Sequence, residues 1–453
     1  MAIKIGLEVH IPLKTTTKLF CGCPTTPSSA PNTQTCPTCI GLPGAKPVLN
    51  KKAVELALKI GLALQCDIAE RFRFSRKTYF YPDLAKNYQI TQYEVPLGAN
   101  GKLGLSNGKT VAISRIHLEE DPGSLEHKEN YCLIDYNRSG IPLVELVTAP
   151  ILDSPEEARD FMKQLVNVLS YLNVYDENIG HLKADANVSI AEKNYTRVEV
   201  KNITGFKEIE RALTYEIDRQ KRHDVVRETR GWDAVKGVTV SLRSKEYEED
   251  YGYILDPDLP TISLERQFII ETGKTIPELP RQKAERWVRA HKIDPVDAAV
   301  IATDRDLAGV YEHIVTKVDP VIAARWFRKD VIRALEGKPA ARLNPASVRE
   351  LLELVQRHKI TDAVAREILD LLVKKDFSPK EHVTKQGLGA ISDETHLQKL
   401  VEEAVASNPQ AVADYRAGEL KALNAIVGHV MKQTKGKATP DAVKRLVEEA
   451  LAS

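Results

Sequence analysis

The stretch IKIGLEVHI, residues Ile3–Ile11, alternates with a period of two. Ile3, Ile5, Leu7, Val9 and Ile11 share one face of a strand, and Glu8 and His10 project from the other. A strand that is dry on one side and carries a carboxylate and an imidazole on the other predicts a sheet with one covered and one open face. The pattern recurs. In KADANVSI (183–190), Asp185, Asn187 and Ser189 oppose Ala184, Ala186, Val188 and Ile190. In RVEVK (197–201), Arg197, Glu199 and Lys201 oppose Val198 and Val200. IHLEED (116–121) puts His117 and Glu119 on one side. In IPLVELV (141–147), Glu145 interrupts an apolar run, where a carboxylate without a partner is strongly disfavoured.

One polar strand face is simply a solvated sheet. Five strands with carboxylates, one of them inside an apolar run, point to hard divalent cations and the phosphates they bridge. Glu8, His10, Glu119, Glu145 and Asp185 are therefore the candidate ligands, able to hold about two magnesium ions as in two-metal phosphate sites.

A second cluster is made of thiols. CGCPTTPSSAPNTQTCPTC (Cys21–Cys39) holds Cys21, Cys23, Cys36 and Cys39, four of the six cysteines of the chain. Two close pairs joined by a short loop suit one tetrahedral ion, and structural zinc is favoured over disulfides or plain burial. Gly22 is expected to allow a sharp turn within the first pair. Such a closed site fixes a loop and leaves no position for substrate. A zinc deaminase is excluded by order, because His117-Leu-Glu119 follows the cysteines and Thr35 stands where a proline is required. Phosphate-binding loops fail as well: GKT occurs at Gly108 and Gly273, but Leu103 and Phe268 replace the necessary earlier glycine.

The 453 residues predict roughly two to four domains, with a 43% apolar and 28% charged composition ordinary for a globular protein. Sparse cysteines, no secretory segment in MAIKIGLEVH and no spanning apolar run lead us to expect a cytoplasmic protein. A net charge of +1 restricts any nucleic-acid footprint to a local one, such as MKQTKGKATPDAVKR (431–445). Strand patterns at Ile3–Leu13, Val111–Glu119, Leu143–Val147, Lys183–Ile190 and Arg197–Lys201 alternate with helices at Lys52–Leu64 and Pro155–Leu172, the latter opened by a Ser154/Glu157 capping box. Residues 253–280 read as a proline-rich, strand-containing linker, and beyond Arg281 the pattern is helical, with a break at HVTKQGLGAISDE (382–394). The last helices are expected at Thr395–Ser407, Pro409–Ala417, Glu419–Gln433 and Pro440–Ala452. The fold class is α+β.

Longer motifs go further. GLEVHIPLKTTTKLFCGCPT (6–25), CPTCIGLPGAKPVLN (36–50), RKTYFYPDLAKNYQITQY (76–93), RIHLEEDPG (115–123), DYNRSGIPLVELV (135–147), RVEVKNITGF (197–206) and DYRAGELKALNAIVGHVMKQTKGKATP (414–440) stand in this order. Together they resemble the B subunits of aspartyl/glutamyl-tRNA amidotransferases, from residue 3 almost to the end. The related archaeal E subunits carry a large insertion for which this length leaves no room.

The resemblance implies a cradle domain with a glutamine-synthetase-like sheet over residues 1–285, including a zinc loop at 21–39, then a helical domain at 286–384 and a small tRNA-contacting helical tail at 385–453. It implies a carbon–nitrogen ligase with glutamine as amide donor. ATP phosphorylates the side-chain carboxylate of Asp or Glu on tRNA(Asn) or tRNA(Gln), and ammonia displaces the phosphate. By motif, Glu8, His10, Glu119, Glu145 and Asp185 become the magnesium and catalytic set, and Cys21, Cys23, Cys36 and Cys39 the zinc set. Lys77, Tyr81, Arg138, Glu199 and Lys201 lie in matching stretches and are candidate cofactor-binding residues. No glutaminase signature is present, so the resemblance implies a heterotrimer in which a separate amidase (glutaminase) polypeptide, the family's A subunit, supplies ammonia and a small C subunit clamps the two. The competing readings are a non-catalytic tRNA-binding scaffold, which would tolerate amides at Glu145 and Asp185, and a free-standing small-molecule ligase, which leaves the helical region unexplained.

Overall fold

The computed structural model describes residues 2–176, 179–244, 252–390, 394–417, 419–434 and 437–452. Parts of two sequence features, the 382–394 break (391–393) and the basic 431–445 stretch (435 and 436), lie outside the described residues. The fold is α+β, and the chain separates into two compact units, Met1–Leu279 and Pro280–Ser453.

In chain order the first unit contains β1 (Ile3–Pro12), α1 (Lys51–Ala63), β2 (Asp67–Ile68), β3 (Arg71–Phe72), β4 (Ser75–Thr78), β5 (Tyr88–Thr91), β6 (Gly98–Gly104) and β7 (Thr110–Glu120). There follow β8 (Ser124–His127), β9 (Cys132–Asp135), β10 (Pro142–Thr148), α2 (Pro155–Leu172), β11 (Lys183–Ile190), β12 (Val198–Thr204) and α3 (Phe206–Arg222). The unit ends with β13 (Glu228–Asp233), β14 (Val238–Ser244), β15 (Gly252–Leu255), β16 (Ile262–Ser263) and α4 (Arg266–Lys274). Nine strands form one sheet in the order β14-β13-β12-β11-β1-β10-β7-β6-β2. Within it only the β12–β13 pair is parallel.

Period-two alternation separates the two faces of this sheet. Ile5, Leu7, Val9, Ile11, Val144, Leu146, Ala184, Ala186 and Val188 are buried in one core with Leu56 and Ile60 of α1, Phe161, Leu165 and Leu169 of α2, and Ile209 and Leu213 of α3. Each large aliphatic or aromatic side chain so buried contributes about 1.5–3 kcal/mol, which fixes the helices on that face. The polar face is left to build a site.

Local signals act as expected at the helix starts. Asn50 caps α1 by accepting from Lys52 N and Ala53 N. Ser154 caps α2 through Glu157 N, but the expected capping box is only half formed. The Glu157 carboxylate accepts from Asp153 N at 3.0 Å, one residue earlier, and from Lys109 Nζ at 2.7 Å. The 253–280 segment holds α4 as well as its strands, a helix hidden by the prolines on both sides. A smaller sheet, β15-β4-β5, joins residues about 180 positions apart. Arg76 fastens it by donating to Asp256 Oδ2 at 2.9 Å and Asp258 Oδ2 at 2.9 Å, with its guanidinium 4.4 Å from the Tyr88 ring centroid.

The second unit is helical throughout its described length. Asp294, Asp319, Asn344 and Ser378 are each followed by proline, and each caps a helix with its own side chain. Trp287, Tyr311 and Phe327 pack ring against ring within it. A further cluster, including Val401, Ile426, Val430, Val443 and Val447, gathers the last helices. The stretch read as one helix over Glu419–Gln433 is a 3₁₀ turn, Leu420–Ala422, leading into Leu423–Gln433, and the helix Pro379–Gln386 extends into the expected break. Among the described residues no helix is long and apolar enough to cross a membrane.

Candidate functional site

Register brings the polar residues together. β1 lies between β10 and β11, and His10 faces Glu145 on one side and Lys183 on the other. Glu145 in turn faces His117 of β7, and Glu8 faces Asp185. Directly opposed residues of antiparallel strands project to the same side, so the row Lys183–His10–Glu145–His117 lies on the open face beside the Asp185–Glu8 pair.

His10, Glu119 and Glu145 offer ligand atoms within 4.8 Å of one another. His10 Nε2 is 3.5 Å from Glu119 Oε1 and 3.6 Å from Glu145 Oε2. Glu8 and Asp185 stand next to this set and outside its tight group. Glu8 Oε1 accepts from Asn187 Nδ2 at 3.0 Å, and Asp185 has the Lys201 ammonium at 3.9 Å. The three acidic residues of HLEED diverge. Glu119 joins the cluster, Glu120 is buried against Lys86 Nζ at 2.6 Å, and Asp121 accepts from Nε and Nη2 along one edge of the Arg138 guanidinium.

The charges are strongly coupled. Burial, followed by the charges of Glu145, Glu199 and Asp185, raises Glu8 to about 7. Burial alone would push His10 down, but the adjacent carboxylates of Glu145 and Glu119 carry it up to about 9. Burial opposes ionisation of Glu145, yet His117, His10 and Lys77 hold its carboxyl well below the usual range. Burial raises Asp185 despite Lys201 and His10.

Two cavities meet here. One of about 590 Å³ is walled by His10, Lys77, Glu119, Glu145, Asp185, Arg138 and Lys183, and by Thr25, Pro27 and Gln34 of the thiol loop. The other, about 420 Å³, is walled by Glu8, Arg115, His117, Arg197, Glu199, Lys201, Arg227 and Tyr253. Lys77, Glu119 and Glu145 belong to both walls. Of the candidate cofactor-binding residues, Lys77 and Arg138 therefore reach the first cavity, and Lys77, Glu199 and Lys201 the second. Tyr81 lies in neither wall and is 46% exposed.

The ligand set read from sequence omits His117. It is 4% exposed, and its Nε2 is 3.7 Å from Glu119 Oε2 and 3.6 Å from Glu145 Oε2. Its shared strand face with Glu119 is a usable signal; its position opposite Glu145 is not available from local periodicity.

The four thiols also converge, with one sulfur from each of Cys21, Cys23, Cys36 and Cys39 within 4.8 Å of the others and none in a disulfide. Hydrogen bonding from the Cys21 thiol, the Cys36 N–H and the nearby Lys18 charge brings Cys39 down to about 4 against the effect of burial. Burial and the Cys36 bond raise Cys23 to about 11. Lys18 is fully buried and donates to Gln34 O at 2.8 Å, Tyr136 O at 3.3 Å and Cys39 Sγ at 3.7 Å. The expectation for Gly22 needs correction: its φ is not positive, and a Cβ there would meet nothing within 4 Å. The turn is held instead by Lys18 N donating to Cys23 O and by the Thr17–Pro24 bridge.

Comparison with known proteins gives the family of the chain. Residues 3–270 match the family described as GatB/GatE catalytic domain, and residues 309–451 match the GatB domain. The B subunit of the aspartyl/glutamyl-tRNA(Asn/Gln) amidotransferase from Carboxydothermus hydrogenoformans is 41% identical over 472 aligned residues, covering 99% of this chain and 98% of the relative. Its counterpart from Clostridium botulinum is 42% identical, covering 98% of each chain. The one from Thermotoga maritima is 41% identical, covering 99% of this chain and 98% of the relative. With both the sheet unit and the helical unit matched, the chain belongs to the GatB/GatE family.

Proposed function

We propose that this chain is the carboxylate-activating and amidating subunit of a tRNA-dependent amidotransferase. It would work with an amidase polypeptide and a small third polypeptide on Asp-tRNA(Asn), Glu-tRNA(Gln) or both. A side-chain carboxylate oxygen of the tRNA-bound Asp or Glu attacks the γ-phosphorus of ATP, and ADP leaves. Ammonia then attacks the acyl carbon, inorganic phosphate departs, and a proton is lost to give the amide. The observation that carries this reading is that His10, Glu119 and Glu145 converge where two cavities share the wall formed by Lys77, Glu119 and Glu145.

The residues present fit divalent cations. Carboxylate oxygens and an imidazole nitrogen point at one locus, and burial with the charges of Glu145, Glu199 and Asp185 raises Glu8 to about 7. His10, Glu119 and Glu145, with Glu8 and Asp185 beside them, would hold magnesium. Bound magnesium supplies charge neutralisation for the transferring phosphoryl group. Lys77, Arg115, Arg197, Lys201 and Arg227 around the smaller cavity suit the nucleotide's phosphates. The larger cavity, opening toward the thiol loop, suits the aminoacyl end of the tRNA. Between them, Lys77 can orient both reacting groups, which is mainly catalysis by position. The four thiols fit zinc by number, proximity and the thiolate character of Cys39, and would fix the loop that walls the larger cavity.

The test is amide formation on both mischarged tRNAs with ATP, magnesium and ammonium chloride, using the chain with its two proposed partners. Ammonium bypasses the amidase. Wild type should amidate, and Glu145→Gln and Asp185→Asn complexes should bind tRNA without amidating; active variants would favour the scaffold reading.

A further inference from the structure

β13 follows β12 through the crossover helix α3 and pairs with it in parallel, from Val198↔Glu228 to Lys201↔Gly231. Paired residues share a face, so Thr229 stands on the open side with Glu199, and Glu228 on the covered side with Val198. Thr229 Oγ1 donates to Glu199 Oε2 at 2.9 Å, and Glu199 Oε1 lies 3.5 Å from Lys201 Nζ. Arg227, Thr229, Glu199 and Lys201 all belong to the wall of the smaller cavity.

The covered side of β13 is not built like the rest of the core. Of its six residues only Trp232 lies in the apolar cluster. Glu228 and Arg230 enter a polar network that faces α3 instead. Glu216 of α3 is 0% exposed and accepts from Arg219 Nη2 at 2.6 Å, Gln220 Nε2 at 3.1 Å and Thr239 Oγ1 of β14 at 2.8 Å. Thr239 Oγ1 accepts in turn from Arg230 Nε at 2.8 Å. Glu228 Oε1 accepts from Arg230 Nη1 at 2.9 Å and lies 3.3 Å from Arg219 Nη2. Glu228 Oε2 accepts from Ser241 Oγ of β14 at 2.7 Å.

A buried ion network adds little net stability over an apolar filling of the same volume, because desolvation offsets the attraction. What it adds is direction, since these bonds are made in one alignment only. A one-residue slip of β13 would carry Arg227 and Thr229 to the covered face, and Glu228 and Arg230 to the open one. One tryptophan is a weak guard against that slip; two opposed ion pairs are a strong one.

We propose that Glu216, Arg219, Glu228 and Arg230 are positioning residues for the reaction. They lock β13 in register, which sets Arg227 and Thr229 in the cavity wall and, through the Thr229–Glu199 bond, holds Lys201 there. This rests on the reading of the smaller cavity as the nucleotide's site.

The test is steady-state amidation by the chain with its two proposed partners in ammonium chloride, varying ATP and mischarged tRNA separately. Glu216→Gln removes the charge at the centre of the network. Thr239→Val removes one hydroxyl and keeps the β-branched shape, and Thr239→Ser keeps the hydroxyl. Glu216→Gln should raise KM for ATP at least about 10-fold, with kcat and KM for tRNA within about twofold of wild type. Thr239→Val should raise KM for ATP by a smaller factor, and Thr239→Ser should restore it. Should Glu216→Gln fail to fold, the Thr239 pair decides alone. An unchanged KM for ATP in the folded variants would overturn the proposal, and so would equal rises in both KM values, which mark general loosening. Wild-type amidation that proceeds without ATP would instead remove the nucleotide reading beneath it.

Discussion

Glu145 of β10 stands directly opposite His10 of β1, and the Glu145 Oε2 to His10 Nε2 distance is 3.6 Å. This pairing turns an otherwise misplaced carboxylate in an apolar strand into the centre of the site. Replacing it tests the site most directly. Glu145→Gln keeps the shape and removes the charge, so divalent-cation affinity and amidation should both fall by at least about 100-fold. Without added metal its denaturation midpoint should fall at neutral pH, because the ionised carboxylate is held against burial by His117, His10 and Lys77, and a depressed carboxyl contributes stability above its ordinary range. That loss should fade as pH falls into the acid range where the wild-type carboxylate itself takes up a proton.

Cation affinity should depend on pH. Glu8 is raised to about 7 by burial and by Glu145, Glu199 and Asp185, and His10 is carried to about 9 by its carboxylate neighbours. A cation needs both groups deprotonated, so manganese affinity should climb from pH 6 to 9, and Glu8→Gln should flatten the lower part of that rise. Metal-free stability runs the other way. Both folded-state values lie above the ordinary ones, so the stability these groups contribute is full below pH 4.5 for Glu8 and 6.5 for His10, and is lost as pH rises through about 7 and about 9. Thermal scans in magnesium-free buffer should show a decreasing midpoint across that range.

Arg76 should matter through Lys77. It joins β4 to the loop after β15, and the Asp256 side chain it pairs with is fully buried. Arg76→Ala leaves that carboxylate uncompensated and should cost about 3–5 kcal/mol in denaturant unfolding. Arg76→Lys keeps the charge but not the fork that reaches Asp256 and Asp258 together, so it should recover only part of the loss. In both variants KM for ATP should rise, since β4 carries Lys77 into both cavities.

Lys18 should govern the thiol loop. Lys18→Met removes the donor to the carbonyls of Gln34 and Tyr136 and the ammonium beside Cys39 Sγ. Two carbonyls losing their donor should cost about 2–5 kcal/mol. Zinc should pass to a colorimetric chelator faster than from wild type. Unchanged release would separate Lys18 from the thiolates.

Much of this was legible before any tertiary structure. Alternation in IKIGLEVHI and KADANVSI placed Glu8, His10 and Asp185 on polar faces because side-chain direction in a strand is a local property. The thiol spacing likewise foretold the four-sulfur cluster. α4 and the 3₁₀ turn at Leu420–Ala422 were not legible, since short elements carry too little periodicity.

Local pattern settles which residues can share a face, where the thiols gather, and that a sheet-forming half precedes a helical one. Only the assembled sheet sets β1 between β10 and β11, stands Glu145 between His10 and His117, and returns β15 to pair with β4 beside Lys77. The reason is physical. Facing follows from the backbone of each strand separately, whereas strand order and register are set by how distant segments bury their apolar sides against the same helices.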